Sequence, residues 1–324
     1  MDIFFAPMEG VTGPQFRRAH HNHFSGVDKY YLPFISPTQD HRFTPREIRN
    51  VGLEANQGME VVPQLLTKNA QDFIWCARGL GDMGHREVNL NLGCPSATVV
   101  TKGKGAGMLR DPDGLERFLE EIFSADLGAL EISIKTRLGL ESPEEFPRLA
   151  EIFSRFPISL LILHPRVRAD FYKVPVRGEE FVKALPYLKC PVCYNGGIVT
   201  AAGCARLAAE LPQIHSVMIG QGLAVNPALA RQAKGGPPLG REELRTFHDQ
   251  LYRTYLQDFS GERSTVFHMK ELWGYFSRMF DGGEKLFKEI KKAQNARSYE
   301  SAAARVFDTL PLRQEADWEH PSKI

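Results

Sequence analysis

The chain has 324 residues, of which 43% are hydrophobic and 24% charged, with a formal net charge of +1 at pH 7. That balance excludes disordered and fibrous classes and gives no global attraction for an anionic partner, although local basic patches can still supply one. No apolar run reaches the roughly 18 to 20 residues that span a bilayer, and Met1-Asp2-Ile3-Phe4-Phe5 has no basic region ahead of its short apolar stretch, so a cytoplasmic protein without membrane contact is expected.

Eight short apolar runs recur along the chain at a spacing that suits strand and helix in alternation. They are Ile3-Phe4-Phe5, Lys29 to Leu32, Glu60 to Gln64, Val88 to Asn91, Glu131 to Lys135, Leu160 to His164, Val192 to Asn195 and Val217 to Gly220. Helices are expected between most of them, among them Pro112 to Phe123 with acidic Asp111 and Asp113 in its first turn, and Ala201 to Leu211 behind the N-cap Thr200. Eight strands favour a closed (β/α)8 TIM barrel of the α/β class over an open doubly wound sheet. The polar residues support this choice. Gln64, Asn91, Lys135, His164, Asn195 and Gly220 each fall at the expected C-terminal end of a different strand, where a barrel collects its active site, whereas an open sheet gathers ligands at one switch point. Lys234 to Gly240 is a turn-rich linker, and residues 241 to about 312 carry a helical pattern of aromatic and basic residues. The expected organisation is a catalytic barrel over 1–238 followed by a small helical domain over 239–324.

The five cysteines, Cys76, Cys94, Cys190, Cys193 and Cys204, are too few and scattered for a disulfide scaffold, which fits a reducing compartment. Cys190 and Cys193 form a C-x-x-C without the second close pair that a zinc site wants, so they read as packing at the entry to a strand, and no metal is expected. Cys94 stands apart. It lies in Asn89-Leu90-Asn91-Leu92-Gly93-Cys94-Pro95-Ser96, followed by the loop Lys102-Gly103-Lys104-Gly105-Ala106-Gly107. A lone cysteine is usually a small buried hydrophobe, but a glycine before it, a proline after it and a place beyond a strand end argue for a positioned thiol.

Five segments together carry a family resemblance: Ala6-Pro7-Met8-Glu9-Gly10-Val11-Thr12, Val88 to Ser96, Ile134-Lys135-Thr136-Arg137-Leu138-Gly139, Asn195-Gly196-Gly197 and Met218-Ile219-Gly220. Their order and spacing resemble the tRNA-dihydrouridine synthases, and the tail with His268-Met269-Lys270 ahead of Trp273 is similar to that family's C-terminal domain. The resemblance implies an FMN enzyme that uses NADPH as reductant and tRNA as partner and reduces the C5–C6 bond of uridine; a monomer is expected, although the sequence does not fix the oligomeric state. It implies that Cys94 is the proton donor, that Pro7, Met8 and Glu9 belong to the cofactor site, and that Arg137 and Lys270 face the substrate, with Asn91 holding the base or the flavin.

Physical reasoning adds roles to these positions. Reduced flavin carries negative charge near N1 and O2, so a cation at Lys135 stabilises it, unless the side chain snorkels to the surface. Gln64 offers donor and acceptor to a pyrimidine edge; Asn195 offers the same or serves the turn into its two glycines. Asn195-Gly196-Gly197 and Gly220-Gln221-Gly222 follow strands seven and eight, where barrels hold phosphate. Gln221 departs from the family's usual Arg, and Pro33-Phe34 stands where relatives carry a Glu. His164 reads as a flavin or substrate contact or a satisfied core residue, and Arg166 and Arg168 as phosphate contacts or a solvated loop. A tRNA uridine must leave its stack to enter the mouth, and the basic tail, with Arg263, Lys270, Arg278, Lys285, Lys288, Lys291 and Lys292, is the expected phosphate binder. Two rival readings remain: an FMN barrel of the dihydroorotate dehydrogenase kind acting on a small molecule, and a non-catalytic tRNA-binding protein on the same fold.

Overall fold

The computed structural model describes residues 1–259 and 261–317; the last residues assigned to the helical domain, 318–324, lie outside them. Short apolar runs form parallel strands that pair in one ring. In chain order these are β1 (Asp2–Phe5), β2 (Lys29–Tyr31), β3 in two segments (Val61–Val62 and Gln64–Leu65), β4 (Glu87–Leu92), β5 (Glu131–Gly139), β6 (Leu161–Val167), β7 (Val192–Asn195) and β8 (Ser216–Ile219). The break in β3 has a local cause. Pro63 has no N–H, so the ladder lapses there, yet its carbonyl still accepts from the Asn89 amide at 2.8 Å. The first segment of β3 pairs with β2 and the second with β4, while β8 pairs with β1. Reading across Pro63 closes the expected eight-stranded barrel.

Strands β5 and β6 run past Lys135 and His164, where the sequence reading ended them, with Arg137 opposite His164 and Gly139 opposite Val167. Those polar side chains alternate with Ile134, Thr136, Leu138 and Leu163, all fully or nearly fully buried. Period two puts the two sets on opposite faces of the strand, so an inward polar face looked like a strand end. The other strands and both named helices fall close to expectation, with Asp111 and Thr200 accepting the N–H groups of Gly114 and Gly203 as N-caps.

Inside the ring, Phe4, Ala6, Tyr31, Val62, Ile162, Cys193 and Met218 form one apolar cluster. Below it Glu87 accepts from Lys29 at 2.9 Å and from the Tyr31 hydroxyl at 3.0 Å, closing the N-terminal end. Cys190 and Cys193 are free thiols, and Cys193 belongs to the interior packing.

After the linker come α11 (Arg241–Asp258), α12 (Glu262–Phe276), α13 (Glu284–Lys292) and α14 (Ala296–Thr309). Phe247 of α11 fits edge-on against Phe16 and Phe24, at 5.5 and 5.2 Å between ring centroids, fixing the helices to α1 (Pro14–His23), which follows β1. Helix α12 packs against α9 (Gln221–Val225), which follows β8. Among the described residues no helix is long and apolar enough to cross a membrane.

Candidate active site

The C-terminal half of the barrel interior is polar, and its side chains satisfy one another in sequence. Asn89 donates to the Ser133 hydroxyl at 2.8 Å, Gln64 to the Asn89 carbonyl oxygen at 2.7 Å, and Asn91 to the Gln64 carbonyl oxygen at 2.7 Å. The Asn91 Oδ1 then accepts the amide N–H groups of Gly93 and Cys94 at 3.1 and 2.9 Å. Each amide in this chain has its orientation fixed by its neighbour, so the ladder of strands dictates where the Cys94 loop begins.

The loop then returns onto Cys94. Ala106 donates its N–H to the Cys94 carbonyl, and Gly105 adopts φ +56, where a Cβ would stand 3.0 Å from the Cys94 Cβ. Any side chain there is strained by the left-handed backbone and presses on Cys94 and Val99. Arg137 fixes the other side: its Nε donates to the Gly93 carbonyl, and its Nη1 to the carbonyls of Val167 and Phe171. Its guanidinium is buried and lies 5.3 Å from the Tyr172 ring. Arg137 therefore joins the Cys94 loop to the loop after β6. Burial raises the Cys94 thiol above its ordinary range, which keeps it protonated at neutral pH.

Lys135 shares the inward face of β5 with Arg137. Among the described residues its ammonium has no hydrogen-bond or ion-pair partner, and burial, aided by the Arg137 charge, pulls its pKa down to about 7. A cation this poorly compensated is suited to an anionic group entering the barrel mouth. His164, buried and surrounded by Arg137, Lys135 and Arg166, is held neutral by desolvation and those charges. Its Nε2 accepts from Arg166 at 2.9 Å, which assigns the proton to Nδ1. Arg166 also donates to the Val174 carbonyl and is buried, so it is built into the site wall rather than a solvated loop.

Gly196 at φ +133 would place a Cβ 2.9 Å from His164 and Val176, and Gly197 is at φ +69. The turn after β7 thus requires glycine for backbone reasons. Asn195 donates to the Met218 carbonyl at 2.8 Å, joining β7 to β8. Met8 packs its sulfur beside Gly220, with its N–H given to the Thr12 hydroxyl at 2.9 Å. Pro7 is half-buried in the same loop, Gln221 begins α9, and Glu9 is exposed beside Arg46 at 3.9 Å.

The remaining predicted residues lie further out. Arg168 spreads over the Phe171 ring at 5.2 Å. Lys270, on α12, donates to the Ala293 carbonyl at the end of α13, inside the helical segment. The sequence reading missed Arg17, which is fully buried on α1 and donates to the Thr12 carbonyl, Asn50 and Asn56. It anchors the Pro7–Thr12 loop from behind; its place beside Phe16, on the apolar face of α1, was the available signal. Among the described residues no group of His, Cys, Asp and Glu is arranged to hold a metal.

A family model described as dihydrouridine synthase (Dus) matches residues 4–309. The chain is similar to the tRNA-dihydrouridine(16) synthase of Pseudomonas putida, 26% identical over 304 residues that cover 90% of this chain and 93% of the relative. It is also similar to the protein of that name from Aquipseudomonas alcaligenes, 27% identical over 312 residues that cover 91% and 96%. Among solved structures, morphinone reductase matches with a TM-score of 0.52 and 13% identity over 73% of this chain and 86% of that one. A variant of NCR from Zymomonas mobilis matches with 0.52 and 15% over 76% and 90%. At such identities these two show the shared fold.

Proposed function

The chain belongs to the dihydrouridine synthase family, and on that premise we propose that it reduces the C5–C6 double bond of uridines in tRNA, with FMN as bound cofactor and NADPH as reductant. The observation that carries this reading is the pairing of a protonated, backbone-anchored Cys94 thiol with an uncompensated Lys135 ammonium in one barrel mouth.

The residues present fit a flavin. Lys135 lacks an anionic partner among the described residues, Gln64 has donor and acceptor capacity left after its two hydrogen bonds, and Gly196 and Gly197 leave no room for side chains where the turn meets the mouth. Lys135 would face the flavin's N1 and O2 edge, Gln64 its pyrimidine edge, and Asn195 to Gly197 with Gly220 and Gln221 the phosphate, while Pro7, Met8, Glu9 and His164 complete the cavity. When bound, FMN supplies the hydride that uracil needs at C6.

The protein's part is to admit the base, hold it and supply the proton at C5. Cys94 Sγ is the acid: its raised pKa keeps the proton available, and the Asn91 anchor fixes the loop that carries it. Arg137 and Asn91 position the base through the loops they bind. Arg166 and Arg168 lie on the β6 side of the mouth, where the ribose-phosphate of an extruded nucleotide would pass. The helices beyond residue 240 extend the contact surface to the rest of the RNA, with Lys270 and its basic neighbours in the contact. The test is nucleoside mass spectrometry of unmodified tRNA before and after incubation with the protein, FMN and NADPH. Uridine converted to a species heavier by two hydrogens supports the reading; unchanged nucleosides with flavin bound and oxidising NADPH contradict it.

A further inference from the structure

Three lysines that the proposed mechanism leaves unused converge on the rim of the barrel beside the Cys94 loop. Lys102 and Lys104 flank Gly103, in a turn closed by hydrogen bonds from Gly103 N–H to the Val100 carbonyl and from Lys104 N–H to the Val99 carbonyl, at 2.9 and 3.1 Å. Gly103 is left-handed at φ +68, and Lys68, just beyond β3, lays its side chain over it: a Cβ there would be 3.6 Å from the Lys68 Cδ and 3.7 Å from its Nζ. Lys104 donates to the Ser36 hydroxyl at 3.0 Å, a neutral partner that orients the ammonium and leaves its charge uncompensated. Among the described residues none of the three pairs with a carboxylate, as Lys29, Lys183 and Lys234 do elsewhere at 2.7–2.9 Å.

Two lysines on one ordered turn with a third laid over it repel one another, and an anion held among them relieves that repulsion. The location narrows the anion. Gly105, next to Lys104, packs against Cys94, so the turn that carries Lys102 and Lys104 is continuous with the contact to the loop of the reacting thiol. The helical segment is docked on α1 and α9, behind β1 and β8, whereas these lysines follow β3 and β4. They are therefore three strands further round the ring, across the mouth.

Resting on the tRNA reading above, we propose that Lys68, Lys102 and Lys104 bind the sugar-phosphate backbone of the RNA strand that delivers the uridine. The strand is held at two places, by the helices on one side of the mouth and by this rim on the other, with the extruded base between them. Because Lys102 and Lys104 are on the turn that abuts Cys94, RNA binding there also fixes the loop in the conformation that presents the thiol.

The experiment compares the full-length FMN-loaded protein with the triple variant Lys68→Gln/Lys102→Gln/Lys104→Gln and its Arg counterpart, using an unmodified tRNA transcript. Each single-strand phosphate contact contributes about 0.7 to the log–log salt slope of affinity. The Gln variant should lose a slope of about two and bind roughly tenfold or more weakly at low salt, and the Arg variant should restore both. An unchanged tRNA Kd and slope in the Gln variant overturns the rim assignment while wild-type binding leaves the tRNA reading standing. A raised KM for NADPH with unchanged tRNA affinity overturns it in favour of a nicotinamide phosphate site. Wild-type protein that does not bind tRNA overturns both the assignment and the reading it rests on.

Discussion

Asn91 holds Cys94 by its backbone: one side-chain oxygen accepts the N–H of Cys94 at 2.9 Å and that of Gly93 at 3.1 Å, while its amide nitrogen is tied to Gln64 at 2.7 Å. The loop that carries the thiol is thus placed by the strand ladder. Asn91→Ala should leave two N–H groups and the Gln64 oxygen without partners, at about 1–3 kcal/mol of stability for each group left buried. Turnover on tRNA should fall further than the lost stability explains. Turnover equal to wild type in a folded Asn91→Ala protein contradicts the anchoring role.

Gly105→Ala tests the same loop from the other side. An alanine at φ +56 costs about 1–2 kcal/mol, and its Cβ would press on the Cys94 Cβ from 3.0 Å. Flavin content should survive, because Gly105 is not among the residues assigned to the cofactor, and the rate of uridine reduction should drop by an order of magnitude or more. Equal rates would show that the loop tolerates displacement.

Lys135 gives a pH-dependent prediction. Its pKa is about 7 in the folded protein without cofactor, against 10.5 for an ordinary lysine. Between those values the unfolded chain carries a proton that the folded chain has released, so this group makes the flavin-free protein more stable as pH rises from about 7 toward 10.5. Thermal melts of flavin-free wild type and Lys135→Met across that range should show the wild type gaining on the variant. A constant difference contradicts the depressed pKa. In the loaded protein, Lys135→Ala should slow flavin reduction far more than it weakens tRNA binding, and equal losses would remove the lysine from the cofactor site.

The tail carries a separate expectation. Lys288→Glu should weaken tRNA binding and lower its salt slope by about one while leaving flavin content intact. Lys270→Glu should in addition lower the melting temperature, because its ammonium donates to the Ala293 carbonyl at the end of α13. A Lys270→Glu protein with wild-type stability argues against that contact.

The barrel was legible because its strands are short apolar runs ending near polar residues, and Gln64, Asn91, Lys135, His164 and Asn195 do share its interior. The lengths of β5 and β6 were not. Lys135, Arg137 and His164 are polar residues facing inward on continuing strands, and a pattern that treats polarity as a boundary stops too early. Nor did the sequence reveal that Asn91 and Arg137 hold loops, because their partners are backbone carbonyls and amides brought close only by barrel closure. Arg17 escaped for a related reason. Its guanidinium is satisfied by Thr12, Asn50 and Asn56 without any carboxylate, so no charge pairing marked it in the sequence.

The central claim is that Cys94 gives the proton to uracil C5 while the rest of the site works without it. The direct measurement is a single-turnover experiment in which wild type and Cys94→Ala, each loaded with FMN and reduced beforehand with NADPH, are mixed with unmodified tRNA and followed by flavin absorbance and nucleoside mass spectrometry. Both proteins should bind flavin and accept reducing equivalents from NADPH at similar rates. Wild type should reoxidise with matching formation of dihydrouridine, and Cys94→Ala should form it at least a hundredfold more slowly, the lower range for loss of a general acid being about 10²-fold. Dihydrouridine formed by Cys94→Ala at the wild-type rate would contradict the account.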